Sequence, residues 1–168
     1  MQLILIRHAI AEDRELFAET GLSDAERRLT TRGRRRMARN ARGLRAIVPS
    51  LDLVATSPLR RARETAEIVA EAYGDIPVVE AAMLAPGGSR DACKRWLERH
   101  KTEGALAVVG HEPHLRETVS WLITGDSTPI LMFKKGGACC VELPDHITGG
   151  AGRLQWLLTP RALRRLRG

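Results

Sequence analysis

Reactive side chains in this sequence gather where aliphatic runs stop. LILIRHA, residues 3–9, ends in Arg7 and His8. The stretch LVATSPLRRARETAE turns at Ser57-Pro58 and carries Arg60 and Arg61 just beyond. ALAVVGHEPHL turns at Gly110 and presents His111. A neutral imidazole nitrogen is a nucleophile that can attack phosphorus and hold a phosphoryl group. A guanidinium offers a rigid fork of donors that fits a carboxylate or a phosphate. A second imidazole serves as a hydrogen-bond donor to a phosphoryl oxygen. Two arginines and two histidines, with no obvious carboxylate beside them to hold a magnesium ion, suit metal-free phosphoryl transfer. Positioning and charge stabilisation do most of the catalysis in such a reaction.

Taken singly, each of these residues is ordinary, since a lone histidine or an arginine on a helix is most often structural. Their positions give them weight. His111 and His114 also raise the question of a metal pair, but no third ligand stands at a plausible spacing and Pro113 lies between them. No metal and no cofactor is expected.

The elements that must position these groups follow from apolar periodicity. Strand character appears at 2–7, 52–57, 77–81, 105–110, 138–143 and 154–159. Between them the apolar positions recur every three or four residues. Met37, Ala41, Leu44 and Val48 line one face of a helix over about 31–48, with arginines on the other. Leu59, Ala62, Ala66, Val69 and Tyr73 do the same over 59–73. A third helix starts after Ser89, a good N-cap, and buries Ala92, Trp96 and Leu97. A fourth has Pro113 near its first turn, where a missing N–H does no harm, and buries Leu115, Val119 and Leu122.

Continuously apolar strands alternating with amphipathic helices predict an α/β fold. It is a three-layer α/β/α domain around a mostly parallel sheet of about six strands. The last two strands lack a helix between them and are expected as an antiparallel edge or hairpin. No linker or repeat divides the chain, so residues 1–168 read as a single domain. In such sheets ligands bind beyond the carboxyl ends of the strands. That places Arg7, His8, Arg61 and His111 in one crevice, with Arg61 beside the N-terminus of its helix, where backbone N–H groups also favour an anion.

Composition closes off other classes. No segment approaches the roughly 18 apolar residues that span a bilayer, and the first residues lack the charged leader of a signal peptide, so a cytoplasmic protein is expected. Cys93, Cys139 and Cys140 show neither metal spacing nor a disulfide framework and read as packing residues. The net charge of +7 is concentrated between Arg27 and Arg45, with a smaller group in RALRRLRG. Such a field attracts anionic partners, although a solvated helix face is the plainer account of it. Nucleic acid is not expected as a partner, because aromatics make up 4% of the chain and no binding motif accompanies the charge.

The motifs are specific enough to show a family resemblance. LILIRHA resembles the Arg-His-Gly strand of the histidine phosphatase superfamily, and SPLRRARETA resembles its Ser-Pro-x-x-Arg-Ala-x-x-Thr segment, which puts the family arginine on Arg61 rather than Arg60. GHEP matches the second-histidine motif at His111, and RRLTTRG matches Arg-x-Leu-Thr-x-x-Gly, with Arg27 in the place of an arginine that lines the pocket. The motifs run in family order from residue 3 to about 115.

The resemblance implies a phosphoglycerate mutase-like fold and a phosphoenzyme at His8, with Arg7, Arg61 and His111 as catalytic partners. Arg7, Arg27, Arg61 and His111 would bind the substrate. The short chain lacks the insertions and the acidic glutamate of the larger relatives, and Met83 stands near that glutamate's place. This compact form is similar to the phosphohistidine phosphatases of the SixA type. Their resemblance implies a phosphohistidine on a phosphotransfer domain or phosphocarrier protein as the partner, and it is compatible with a monomer. A phosphatase for a small phosphate monoester and a non-catalytic phosphoprotein-binding module are the alternatives. Ala9 replaces the family's usual glycine, which is harmless at negative φ and costly otherwise.

Overall fold

Side-chain alternation along two central strands divides the molecule into layers. In β1 (Gln2–Arg7), Ile4 and Ile6 enter one hydrophobic cluster while Leu3 and Leu5 enter another on the opposite face. In β4 (Ala105–Gly110), Ala107 and Val109 join the first cluster, and Leu106 and Val108 the second. A strand buried on both faces must lie inside the sheet. The computed structural model, which describes residues 1–166, places both there.

The first cluster is covered by α2 (Thr31–Arg45), through Met37, Ala41 and Leu44, and by α3 (Arg60–Ala72), through Ala62, Ala66 and Val69. The second is covered by α4 (Arg90–Arg99) and by α5 (His114–Thr124), through Leu115, Val119 and Leu122. Each fully buried leucine, isoleucine or valine in these layers stabilises the fold by about 2 kcal/mol relative to an exposed one. The stripe on α4 is narrower than its sequence implies. Cys93 and Leu97 are buried, whereas Ala92 and Trp96 are half-buried and the Trp96 ring stacks on His100. Leu59 and Tyr73, at the two ends of α3, are likewise half-buried.

The six-stranded sheet has the order β3-β2-β4-β1-β5-β6, with β2 at Leu53–Thr56, β3 at Val78–Glu80, β5 at Ala138–Glu142 and β6 at Arg153–Leu158. β1 and β2 each pair parallel to β4, and β3 pairs parallel to β2. β5 runs antiparallel to β1, and β6 antiparallel to β5, giving the expected antiparallel edge. Cys139 and Cys140 point to opposite faces of β5, and Cys93 lies on the buried face of α4. Burial pushes the thiols of Cys93 and Cys140 up to about 11, as suits packing residues.

Two short helices escape the periodicity: α1 (Arg14–Ala18), which buries no side chain, and α6 (Pro160–Leu163), which buries Leu163. α2 stops at Arg45, short of the expected 48, although Val48 is still buried. Among the described residues no helix is long and apolar enough to cross a membrane.

The register sets the relative height of the strand ends. Arg7 lies opposite Gly110 and Thr56 opposite Val109, so three strands finish level. Beyond β1 the chain passes close under α2, where Gly33 leaves no room for a side chain. A Cβ there would sit on the Ile10 carbonyl oxygen, far inside van der Waals contact. The Gly33→Ala protein should therefore be less stable by about 2 kcal/mol. A thermal melt should show Tm lower by about 6 °C, and an unchanged Tm would contradict this packing.

Candidate active site

The level strand ends open onto a cavity of about 830 Å3 whose walls include Arg7, His8, Arg27, Arg61 and His111. All five residues anticipated from sequence therefore meet in one place. Each reaches it by a different local device.

His8 follows β1 directly. Its backbone N–H donates to the Gly110 carbonyl at 3.0 Å, and its own carbonyl shares the Gly136 N–H with that of Arg7. Gly136 has φ 77°, a left-handed conformation suited to glycine. The ring is fixed by a hydrogen bond of 2.7 Å between Nδ1 and the Ala9 carbonyl. A carbonyl only accepts, so Nδ1 carries the proton and Nε2 holds the lone pair. Burial, then the neighbouring His111, Arg61 and Arg7, pushes the pKa of His8 down to about 2, against the opposing pull of the Ala9 carbonyl. The imidazole is neutral at any physiological pH.

Ala9 itself is buried and donates its N–H to Thr65 Oγ1 at 3.1 Å, while Thr65 donates in turn to the Arg61 carbonyl at 2.7 Å. Among the described residues Asp75 is the one non-glycine with positive φ. Alanine thus costs the backbone nothing at position 9.

Arg61 is almost wholly buried at the start of α3. It donates to the Asp24 carbonyl at 2.8 Å and pairs with the Asp24 carboxylate at 3.0 Å. Arg60, one residue earlier, is half-exposed and pairs instead with Glu64 and Glu26. Arg27 is buried as well; its Nε donates to Asp24 Oδ1 at 3.0 Å and an Nη to the Glu12 carbonyl at 2.8 Å. Burial works to raise the pKa of Asp24, but Arg61, Arg27 and Arg14 outweigh it and hold the carboxylate below its ordinary range.

Arg7 donates to the Phe133 carbonyl at 2.6 Å. Glu112 accepts the Phe133 N–H at 3.2 Å, pairs with Arg116 at 3.3 Å, and stands close enough to Arg7 for their charges to interact.

His111 closes the set, its ring centre 5.0 Å from that of His8. Its Nε2 lies 2.9 Å from Ser57 Oγ, at the end of β2. Ser57 Oγ already accepts the Leu59 N–H at 3.3 Å, and its own proton is available to Nε2. With Ser57 donating to Nε2, the ring hydrogen of His111 sits on Nδ1, which has no hydrogen-bond partner. Burial and the Arg61 charge push His111 down to about 3.

Arg7 Nε, Arg61 Nε and His111 Nδ1 are buried without a hydrogen-bond partner. Unpartnered donors on three residues that line one cavity are groups that a bound anion would satisfy. His114 is buried at the start of α5 and does not line the cavity. Among the described residues no three His, Cys, Asp or Glu side chains cluster closely enough to hold a metal ion.

Several groups at the site had no clear mark in the sequence. Glu12, Asp13 and Lys135 line the cavity from loops, and Arg14 from the first turn of α1. Glu12, Asp13 and Glu112 bring carboxylates to the cavity wall. Asp24, under the two arginines, had one local signal, its spacing of three from Arg27. Met83 packs against the second hydrophobic cluster, and the nearby segment contributes Pro86 to the cavity wall.

Comparison with known proteins agrees with this geometry. Residues 3–85 match the histidine phosphatase superfamily, branch 1. An uncharacterized protein of Picosynechococcus sp. is 39% identical over 158 residues, covering 92% of this chain and 89% of its own. The structure of the protein histidine phosphatase SixA complexed with tungstate superposes with a TM-score of 0.82 at 27% identity, over 97% of this chain and 99% of that one. The phosphoglycerate mutase of Plasmodium falciparum shares the fold at 17% identity, with a TM-score of 0.64 over 92% and 88% of the two chains. With its motifs in order, its strand ends level and its two imidazoles facing one cavity, the chain belongs to the histidine phosphatase superfamily.

Proposed function

We propose that this protein is a phosphatase that removes the phosphoryl group from phosphohistidine on a phosphotransfer domain or phosphocarrier protein, through a phosphoenzyme at His8. The observation that carries the reading is the neutral His8 ring, its Nδ1–H tied to the Ala9 carbonyl and its Nε2 lone pair left for attack. The likeness to SixA over almost the whole chain supports the substrate class.

In the first step the His8 Nε2 lone pair forms a bond to phosphorus as the substrate's N–P bond breaks. Arg7, Arg61 and the His111 Nδ1–H hold the equatorial oxygens, with Arg27 supplying further positive charge. The substrate imidazole, protonated at its other nitrogen, takes the bonding pair and leaves neutral. It needs no acid from the enzyme, which fits a chain with Met83 near the place of the family glutamate. Phosphorylated His8 is cationic in its ring, and the Ala9 carbonyl stabilises it through Nδ1–H. In the second step water attacks phosphorus, the Nε2–P bond breaks, and the products are inorganic phosphate and neutral His8.

An alkyl phosphate monoester lacks a protonated leaving group and should react slowly here. In a turnover assay, a histidine-phosphorylated phosphotransfer domain should be hydrolysed at least 100-fold faster, by kcat/KM, than common phosphorylated metabolites. The His8→Ala protein should lose at least 10^4-fold, about 5 kcal/mol of transition-state stabilisation. Equal rates on the two substrate classes, or appreciable turnover by His8→Ala, would refute the assignment.

The buried imidazoles also set a pH response. In the unfolded chain His8 and His111 titrate near 6.5, whereas folding holds both far lower. Below about pH 6.5 the unfolded state binds the protons that the folded state refuses, so stability is fully present above that pH and falls as the pH drops. The slope should approach about 1.4 kcal/mol per pH unit for each histidine. NMR signals of the two rings should remain those of neutral imidazole from pH 8 to pH 5, and a midpoint between 6 and 7 for His8 would contradict the structure.

A further inference from the structure

Beyond the cavity, the outer face of α2 presents an arrangement that folding alone does not favour. Arg32, Arg35, Arg36 and Arg39 share one face and line a shallow depression of about 370 Å3. Arg32, Arg35 and Arg39 are exposed and Arg36 is half-buried. Among the described residues, Arg14, Arg27 and Arg61 pair with Asp24, and Arg34 and Arg60 with Glu64. None of the four on the α2 face makes an ion pair with a described residue. Arg164, just past α6, stands near Arg36, Arg39 and Arg161 and adds to the same field.

The arrangement costs stability in two ways. Like charges three and four residues apart on a helix repel. Cations in its N-terminal half oppose the helix dipole, and the first turn of α2 holds no acidic residue to offset them.

The face is also continuous with the active site. A narrow groove joins them: Ile10 and Lys135 line both the groove and the main cavity, while Arg36 lines both the groove and the arginine depression. A macromolecule that inserts a side chain into the cavity must lay its adjoining surface over this groove.

We infer that the Arg32–Arg39 face of α2 is a docking surface for an acidic patch on the phosphoprotein whose phosphohistidine enters the cavity. This rests on the proposed function and specifies the partner. A protein surface is favoured over nucleic acid because the face runs directly into the catalytic cavity and α2 carries no aromatic side chain to stack on bases. Charge complementarity of this kind acts chiefly on encounter and orientation. Its effect should therefore appear with a protein substrate and vanish with a small one.

The test compares the wild type with Arg32→Gln/Arg35→Gln/Arg39→Gln, three residues outside the cavity wall. Two substrates are used: free phosphohistidine, and a histidine-phosphorylated phosphotransfer domain of net negative charge. The triple variant should hydrolyse free phosphohistidine within twofold of the wild-type rate. Its kcat/KM on the phosphorylated domain should fall about tenfold, through KM, and the wild type's loss of activity between low and high salt should flatten. The matching lysine variant should retain most of the wild-type activity. The Tm of the glutamine variant should be equal or higher, since repulsion is relieved, which separates a docking loss from misfolding.

If the wild type turns over the phosphorylated domain and the triple variant does so equally well, the docking surface is refuted while the proposed function stands. If the wild type hydrolyses neither substrate, the proposed function fails and the docking surface with it. Binding of a 20-base-pair DNA duplex that the triple variant loses, with turnover of the phosphorylated domain unchanged, would assign the face to nucleic acid instead.

Discussion

Everything at the site depends on the parallel pairing of β1 and β2 with β4. Because Arg7 is held opposite Gly110 and Thr56 opposite Val109, the backbone leaves the sheet at one level three times. A one-residue slip would send every alternating side chain to the wrong layer, and Ile4, Ile6, Leu3 and Leu5 are all buried where such an exchange would disrupt packing on both faces. The hydrophobic layers thus fix the register, and the register brings His8, Ser57 and His111 together. The connection from core to chemistry is short. The His8 N–H bonds the last carbonyl of β4, and the Ser57 N–H bonds the Val109 carbonyl.

Within that frame, buried cations and neutral imidazoles divide the work. The guanidinium groups of Arg61 and Arg27 are held by one carboxylate, Asp24, which also offsets part of their mutual repulsion. The two histidines, desolvated and surrounded by positive charge, have no reason to take up a proton. In the proposed reaction the first serves as nucleophile and the second, bonded to Ser57, as donor. The chain from the Arg61 carbonyl to Thr65 Oγ1 and on to the Ala9 N–H ties the arginine's helix to the nucleophile's loop. A displacement of either would be felt by the other.

Much of this was legible in the sequence because buried strands and amphipathic helices carry strong periodic signals. The runs ending at Arg7, Thr56 and Gly110 announced the sheet, and Arg61 could be distinguished from Arg60 by its place in the motif; Arg61 is buried at the cavity wall, whereas Arg60 is half-exposed and outside it. The remainder was hidden for physical reasons. α1 buries no side chain and so leaves no apolar stripe to read. Lys135, Glu12 and Asp13 reach the cavity from segments without periodicity. Ala9 could not be judged without its backbone angle, and the tautomer of His8 depends on a carbonyl whose direction no sequence pattern encodes. The stripe on α4 is fully buried only at Cys93 and Leu97, with Trp96 packed against the same cluster at its margin.

The central claim is that His8 is phosphorylated, and at one particular nitrogen. The Ala9 carbonyl occupies Nδ1–H and leaves Nε2 as the attacking atom. The direct measurement is to quench turnover of a histidine-phosphorylated phosphotransfer domain in alkaline denaturant, which preserves phosphoramidates, and to locate the phosphoryl group by mass spectrometry and 31P NMR. The account predicts a phosphoramidate on His8 bonded through Nε2. A phosphoryl group on Nδ1 of His8, on His111, or on no residue of the chain during rapid turnover would contradict it.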